Sequence, residues 1–484
     1  MNHIVLPDGS LCLAELEDVR YRRDHEGKRI ARPHDRRTEC ERDVGRLRYS
    51  TALMRLSGIT QVTTPDPQIV RRHDRLTHTL KVAGLAREIA GDLVRSAAEE
   101  SSEGRELKEL ILSFGGLDIS ACEAGGLAHD LGHAPFAHSS QKILDKWLLD
   151  VGDLSGFEGN AQSLRVLRKL EARAIGRAGL DLTALSLGAT LKYPWIRDFT
   201  DSSRAQKFSV YHDDVEVLEL VSACSMGTRV GGAQTLEAAI VEVADDITYA
   251  LHDLQDFVEA GLIDLASALA SIDAVADRLV KSGRPNVEET ERSRMHGLEL
   301  MAERLRPTYE DYSPLEFGKA LHAVSIDLRG IANESGDSYT SLAHIRETFS
   351  RIIRSILKGL QLNTDCTKGG RCFNFGTQAW NKLHALKLIG RYYAIENASV
   401  ARQERSNQAA LRLLLEALLE WAQTSPAHSL PRPLNEYVQR IPGKAPREDC
   451  PTLRRAIVDY ICGMTDRQCL RLASELNGGE MPVV

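Results

Sequence analysis

Residues 124–138 read AGGLAHDLGHAPFAH. This stretch puts His129, Asp130, His133 and His138 within ten residues, the densest group of histidines in the chain, among Ala124, Leu127, Ala128 and Leu131. The small apolar neighbours predict a buried helix that carries polar groups. Burying imidazole and carboxylate without partners costs on the order of several kcal/mol, so other polar groups must converge on them. On a helix His129 and His133 lie one turn apart, with Asp130 rotated by about 100° from His129. Pro135 then stops the helix and delivers His138 to a following loop or helix start.

Outward from this segment the same helical signature recurs. Leu80, Val82, Ala83, Leu85, Ala86 and Ile89 repeat at three- and four-residue spacing, as do Leu411, Leu414, Leu415, Leu418 and Leu419, with Arg or Glu on the remaining face. Alternating runs are nearly absent apart from a short candidate at Phe208 to Tyr211, and no fixed-period repeat is present. The expectation is an all-α, mostly helical fold. The polar stretch from Ser96 to Gly116 predicts a loop or weak helix; Gly283, Pro285, Pro307 and Pro314 mark a second break, and Pro426 to Pro446 a third in which a regular helix is not expected. The expected divisions are a basic N-terminal arm at 1–40, a core at 41–275, and a C-terminal helical region at 276–484 that completes the fold.

Composition excludes several classes. Of 484 residues, 61 are Lys or Arg and 68 Asp or Glu, a formal charge of −7 that argues against a cationic, whole-surface nucleic-acid binder. At 43% hydrophobic and 27% charged, the chain can bury a large core. No run approaches the roughly 18 apolar residues of a membrane span, and the N-terminus lacks a secretory pattern, so no membrane partner and a cytoplasmic location are expected. Nine scattered cysteines without a C-x-x-C pair argue against a disulfide framework or a thiolate zinc site, and are expected to be reduced and buried. Arg20, Arg22, Arg23, Lys28, Arg29, Arg32, Arg36 and Arg37 form a basic stretch, expected to be a solvated arm, with phosphate or single-stranded nucleic acid as its functional alternative.

An adjacent His129 and Asp130 offer one divalent metal a borderline nitrogen and a hard oxygen, a mixture that suits Mg, Mn, Fe, Co, Ni or Zn. Two ligands are too few. His78 in RLTHTLKVAGLA and Asp245 in VEVADDITYALHDLQD sit in apolar helical contexts and are the candidates for the rest. A lone histidine on an amphipathic helix is more often a hydrogen-bonded structural residue than a ligand. The full set, however, leaves coordination positions for water and a phosphate oxygen, as a hydrolytic metal requires.

The combination of Arg75 and His78 (R-x-x-H), His129 and Asp130, and the distant Asp245 in ADDI resembles the HD-domain phosphohydrolases, and more specifically the deoxyguanosinetriphosphate triphosphohydrolase-like dNTP triphosphohydrolases. Further matching phrases are RDVGRLRYSTALMRLSGITQV (Arg42 to Val62), FEGNAQSLRVL (Phe157 to Leu167), ATLKYPW (Ala189 to Trp195) and RRAIVDYICGMTDRQCL (Arg454 to Leu470). The resemblance implies a helical HD-type core with a C-terminal helical extension, and one divalent metal, Mg or Mn first, held by His78, His129, Asp130 and Asp245. It implies hydrolysis of a dNTP, with dGTP as a candidate preference, to a deoxynucleoside and inorganic triphosphate. His138 matches the family's catalytic histidine, and His133 a histidine placed against the phosphates. Arg75 would contact phosphate; Gln61 and Asp253 would bind the 3′-hydroxyl, and Tyr249 would pack against the 2′-carbon. The resemblance also implies a homo-oligomer, a tetramer or hexamer, with an allosteric dNTP at its interfaces.

The chain departs from the family pattern at two positions. Gln141 stands where an acidic residue commonly charges and orients the catalytic histidine, which leaves Glu158 as the candidate carboxylate. Asp246 stands where some relatives carry a phosphate-binding lysine, which leaves Lys192, Lys207 and Arg402 as candidate cations. The competing functions are an HD phosphohydrolase acting on another nucleotide, such as a monophosphate or an alarmone, and a catalytically weak nucleotide sensor or nucleic-acid-binding protein.

Overall fold

The computed structural model describes residues 2–24, 34–61, 74–136, 138–175, 177–225, 234–259, 263–282, 313–334, 338–362, 372–392, 398–441 and 448–478. The helices that carry the argument are, in chain order, α1 (Glu39–Arg48), α2 (Arg75–Ala97), α3 (Ser102–Ser113), α4 (Ile119–Ala128), α5 (His138–Leu149), α6 (Gly159–Arg165) and α7 (Ala184–Thr190). They are followed by α8 (Leu236–Glu259), α9 (Leu265–Ser282), α10 (Pro314–Arg329), α11 (Tyr339–Leu357), α12 (Thr377–Gly390), α13 (Ala398–Thr424), α14 (Pro451–Ile461) and α15 (Asp466–Leu476). None of the described helices is long and apolar enough to cross a membrane.

Helix α4 is the centre of the fold, and its sequence ISACEAGGLA explains why. Every one of its residues is buried, which small side chains permit because neighbouring backbones can approach closely. A Cβ at Gly126 would stand 2.6 Å from Ala83 Cα of α2, and one at Gly125 would stand 2.7 Å from Ala189 O of α7. The two glycines therefore let α4 be gripped from two sides. Asp118 starts the helix by accepting the Ala121 N–H at 2.8 Å, a cap worth about 1 kcal/mol.

Around α4 the apolar stripes of α2 and α8 close one core that also takes in residues of α9, α10, α11 and α12, so a single cluster runs through Val82, Ile89, Ile240, Ile247, Ile272, Phe317, Ile352 and Leu386. This cluster contains residues on both sides of position 275. A second core joins Leu144 and Leu148 of α5 to Leu411, Leu415 and Leu418 of α13, Ile457 and Ile461 of α14, and Cys469 of α15. The last described eighty or so residues thus pack against the helix that follows the histidine cluster.

Several expectations are corrected. The histidine helix ends at Ala128, so His129 caps it and His133 lies in the following turn rather than one helical turn along the same face. The released backbone groups find partners nearby: His129 Nδ1 lies 2.7 Å from Gly126 O, and Ser163 Oγ lies 2.9 Å from His129 O and accepts the Gly132 N–H at 2.9 Å. Arg20 and Arg23 are not on a solvated arm. They are only 1% and 2% exposed, because each finds internal carboxylates: Arg20 with Glu237 at 2.5 Å, and Arg23 with Glu39 and Asp43, both at 2.5 Å. Just before them, two strands, β1 (His3–Val5) and β2 (Leu11–Leu13), pair antiparallel, and β2 pairs with β3 (Gly116–Leu117). These strands of two or three residues are too short to leave an alternating pattern.

Between Ser96 and Gly116 the chain forms α3, capped by Ser101. Within the third proline-rich break a six-residue helix, Leu434–Gln439, forms after Pro433. The Phe208 to Tyr211 candidate contributes only an isolated bridge from Val210 to Ile196. The second break falls almost wholly outside the described residues, as do Lys28, Arg29, Arg32 and Cys366. The eight described cysteines are free thiols, and all but Cys450 are buried.

Candidate metal centre and substrate cavity

Three helices bring the candidate ligands together. His78 lies in the first turn of α2, His129 caps α4, and Asp245 projects from the middle of α8; their donor atoms all fall within 4.8 Å of one another. His78 Nε2 is 3.2 Å from Asp245 Oδ1, and His129 Nε2 is 3.8 Å from the same oxygen. Asp130 stands beside the group, its Oδ2 3.4 Å from His129 Nε2, held there by Arg75 Nη1 at 2.6 Å.

This donor set suits a divalent cation. Because Gly126 O can only accept, His129 Nδ1 donates to it, and the lone pair of the neutral ring is left on Nε2. That Nε2 is buried and makes no hydrogen bond, an orphan atom facing two carboxylates. Borderline nitrogen with hard oxygen is the mixture that first-row divalent metals, Mg and Mn accept. The electrostatics agree. Burial opposes charge on Asp245, but Lys192 first, then His78 and His129, hold its carboxyl far below the usual range. Burial likewise opposes charge on Asp130, which Arg75, His129 and His133 outweigh. For His129 burial works against the imidazolium, and Asp130 overcomes it to raise the pKa.

The cluster forms one wall of a cavity of about 360 Å³, within the range of small-molecule sites. Gln61 lines it at the entry to α2, where Thr60 bridges Asp74, and its buried Oε1 has no hydrogen-bond partner. Tyr249 lines it one turn beyond Asp245. Arg75 also lines it while bonded to Asp130. His133 reaches the cavity from the loop after α4, with Nδ1 3.1 Å from Asp130 Oδ1. Gly159 makes room for that ring, since a Cβ there would stand 3.1 Å from it. The side chains of His138 and Asp253 lie outside the described residues; their backbones belong to α5 and α8.

Glu158 does not line the cavity. It is the buried N-cap of α6, accepting Asn160 N at 2.6 Å, and it meets Lys207 Nζ at 3.1 Å and Gln141 Nε2 at 3.5 Å. Of the three candidate cations, Lys192 and Lys207 line the cavity. Lys192 Nζ is 3.1 Å from Asp245 Oδ2 and 3.9 Å from Glu242. Burial disfavours its ammonium, but Asp245 and Glu242 prevail and raise its pKa. Arg402 is exposed on α13, and the same helix presents Glu404 to the cavity instead.

The sequence reading missed Asn160, Tyr193, Glu242, Glu404 and Lys387 as cavity residues. Asn160 stands in the FEGN phrase and Tyr193 in KYPW, so both were within reach. Lys387, in KLHALKLIG of α12, carried no local signal.

The comparisons with known proteins follow this architecture. The family model for the HD domain matches residues 75–250, and that for the phosphohydrolase-associated domain matches residues 373–475. The first spans all the candidate ligands, and the second spans Lys387 and α13 to α15. The relatives named deoxyguanosinetriphosphate triphosphohydrolase-like protein include the following three, the last of them numbered 2. The one from Corynebacterium glutamicum (strain R) is 34% identical over 50% of this chain and 52% of its own length. The one from Streptomyces coelicolor is 36% identical over 52% of this chain and 56% of its own. The one from Vibrio cholerae is 27% identical over 89% of this chain and 86% of its own. At the higher identities, then, the chain matches about half the length of its curated relatives. With both family models in order along one chain and the ligand set grouped in space, the chain carries an HD domain followed by a phosphohydrolase-associated domain and is similar to deoxyguanosinetriphosphate triphosphohydrolase-like proteins.

Proposed function

We propose that this protein is a metal-dependent dNTP triphosphohydrolase, cleaving a deoxynucleoside triphosphate to a deoxynucleoside and inorganic triphosphate. The observation that carries this reading is the grouping of His78, His129 and Asp245 at the wall of a cavity that Lys192, Lys207 and Lys387 also line. A divalent cation held by His78, His129, Asp130 and Asp245 would supply Lewis acidity toward an α-phosphate oxygen and a water of lowered pKa.

The chain's own residues do the rest. The three lysines offset the charge of the triphosphate as ammonium groups. His133, steadied by Asp130, is the described imidazole able to hand a proton to the leaving 5′-oxygen as the bond from the α-phosphorus breaks. His138 is the second candidate for this role by its match to the family. Glu158 acts at one remove, beside Gln141 one turn along α5 from His138. The partnerless Oε1 of Gln61 is an acceptor suited to a sugar hydroxyl, and Tyr249 gives the same cavity an aromatic wall. With Asp253 they form the proposed sugar contacts.

A homo-oligomer, tetramer or hexamer, and an interface dNTP belong to the same proposal and are tested by sedimentation with and without dNTP. A nucleic-acid role for the basic N-terminus now rests on Arg22, Arg36, Arg37 and the basic residues outside the described part, since Arg20 and Arg23 are internal.

The deciding experiment incubates the purified protein with each of the four dNTPs and Mg or Mn, and separates products by ion-pair chromatography, with His129→Ala and Asp130→Ala as controls. Deoxynucleoside plus triphosphate, lost in both controls, is expected. Nucleotide bound but unchanged, with single and with mixed dNTPs, overturns the enzyme and favours a nucleotide sensor.

A further inference from the structure

Asp466 opens α15, far along the chain from the metal ligands, yet it touches both loops that border the cavity. Its Oδ2 accepts the Thr60 N–H at 3.0 Å, and its Oδ1 accepts the Phe136 N–H at 2.9 Å. Thr60 immediately precedes Gln61. Phe136 lies between His133 and the start of α5 at His138. One carboxylate therefore spans the segment that carries the proposed sugar contact and the segment that carries the proposed proton donors.

Three further observations show that this junction is built rather than incidental. Phe136 has φ of 66°, a left-handed conformation that a bulky side chain rarely adopts unless its surroundings impose it. Arg55, itself buried, donates through Nη1 to Met464 O at 2.9 Å, and through Nη2 to Leu131 O at 2.9 Å and His133 O at 2.8 Å. It thus ties the turn just before α15 to the same histidine loop. On the other loop, a Cβ at Gly58 would stand 2.5 Å from Thr465 Cγ2, so only glycine lets that loop approach the start of α15 so closely.

We propose that Asp466 is a positioning residue for the hydrolytic site. By accepting both N–H groups it fixes Gln61 and the His133 loop in one mutual register, so that sugar recognition and proton donation are set together by the phosphohydrolase-associated domain. The proposal rests on the function argued above for the cavity. A carboxylate has the two acceptor oxygens that the role requires; an amide has one.

The test compares the wild-type protein with Asp466→Asn, which has the same shape but one acceptor fewer, and with Asp466→Ala. Melting temperature and bound metal are measured first, then kcat and KM for a dNTP and for the matching 2′,3′-dideoxynucleotide. In Asp466→Asn, kcat should fall roughly tenfold to a hundredfold, as expected for small misplacements of reacting groups, and the preference for the 3′-hydroxyl should shrink, while metal content is unchanged. A kcat and a preference both within twofold of wild type overturn the proposal, as does a loss of kcat matched by loss of metal. Hydrogen exchange on the wild-type protein gives a second reading that needs no variant. Peptides holding Thr60 and Phe136 should be protected, and exchange at the rate of exposed loops overturns the clamp. A wild-type protein that hydrolyses no dNTP overturns the parent reading, and the exchange measurement still decides on the clamp.

Discussion

Lys387 Nζ lies 2.8 Å from Asp246 Oδ1, joining α12 to the residue beside the candidate metal ligand Asp245. A cation is thus returned to the neighbourhood of Asp246 from more than a hundred residues away. The pair lines the cavity, where the carboxylate alone would repel a polyphosphate.

Lys387→Ala should accordingly raise KM for a dNTP about tenfold, with a smaller change in kcat, because it removes an attraction and exposes the Asp246 charge. Adding Asp246→Asn should recover part of the loss. Steady-state kinetics on the single and double variants check this; a KM for Lys387→Ala within twofold of wild type refutes it.

Removing a ligand should act through the metal. Asp245→Asn keeps the shape of the side chain but loses the charge that Lys192 and the two histidines surround, so affinity for Mn should drop about tenfold to a hundredfold or more. Titration calorimetry with Mn alone measures this without substrate. Unchanged affinity would remove Asp245 from the ligand set.

Two glycines should respond in opposite directions. A Cβ on Gly132 would be driven into Ser163 N and the Gln162 backbone, which cannot yield as a side chain end can, so Gly132→Ala should destabilise by about 1–3 kcal/mol or more. Gly84 is exposed in the middle of α2 with nothing within 4 Å of its Cβ position, so Gly84→Ala should stabilise by roughly 0.5–1 kcal/mol. Denaturant midpoints of the two variants would expose an error if both moved the same way.

The pH dependence of stability has one identifiable source in Asp118. Its carboxyl is pushed up from 3.8 to about 6, mainly by burial and next by the Asp8 charge. A carboxyl with a raised folded-state pKa holds its proton more tightly when folded. Its contribution therefore falls as pH rises from about 4 to about 6 and stays low above that. Asp118→Asn has no proton to lose and still offers Oδ1 to Ala121 N–H. Relative to this variant, the wild type should lose on the order of 1–3 kcal/mol between about pH 4 and pH 7. Equal losses in urea titrations of the two proteins would contradict the assignment.

What a sequence discloses depends on the range over which its signal acts. The Arg75–Ala97 helix was legible because apolar residues recur every three or four positions and one face must be buried. His129 and Asp130 were legible because they are adjacent and sit in an apolar stretch where polar groups need a reason. The place where the helix stops was not, since Ser163, thirty residues on, meets the carbonyl and N–H groups that a continued helix would have paired. Arg20 and Arg23 looked like a solvated arm because a basic run has no period, and their carboxylate partners at Glu237, Glu39 and Asp43 lie on separate elements.

The helical class and the short phrases able to bind a metal are legible in the chain alone, because periodicity and adjacency act within one or two turns. That Lys387 meets Asp246, that Glu158 caps a helix behind the cavity instead of lining it, and that Asp466 bonds to both the Gln61 loop and the His133 loop emerged with the packing of the helices. The first and last of these join partners more than a hundred residues apart, and Glu158 is held in its buried place by Lys207 on a separate segment, so no pattern within a few turns records them.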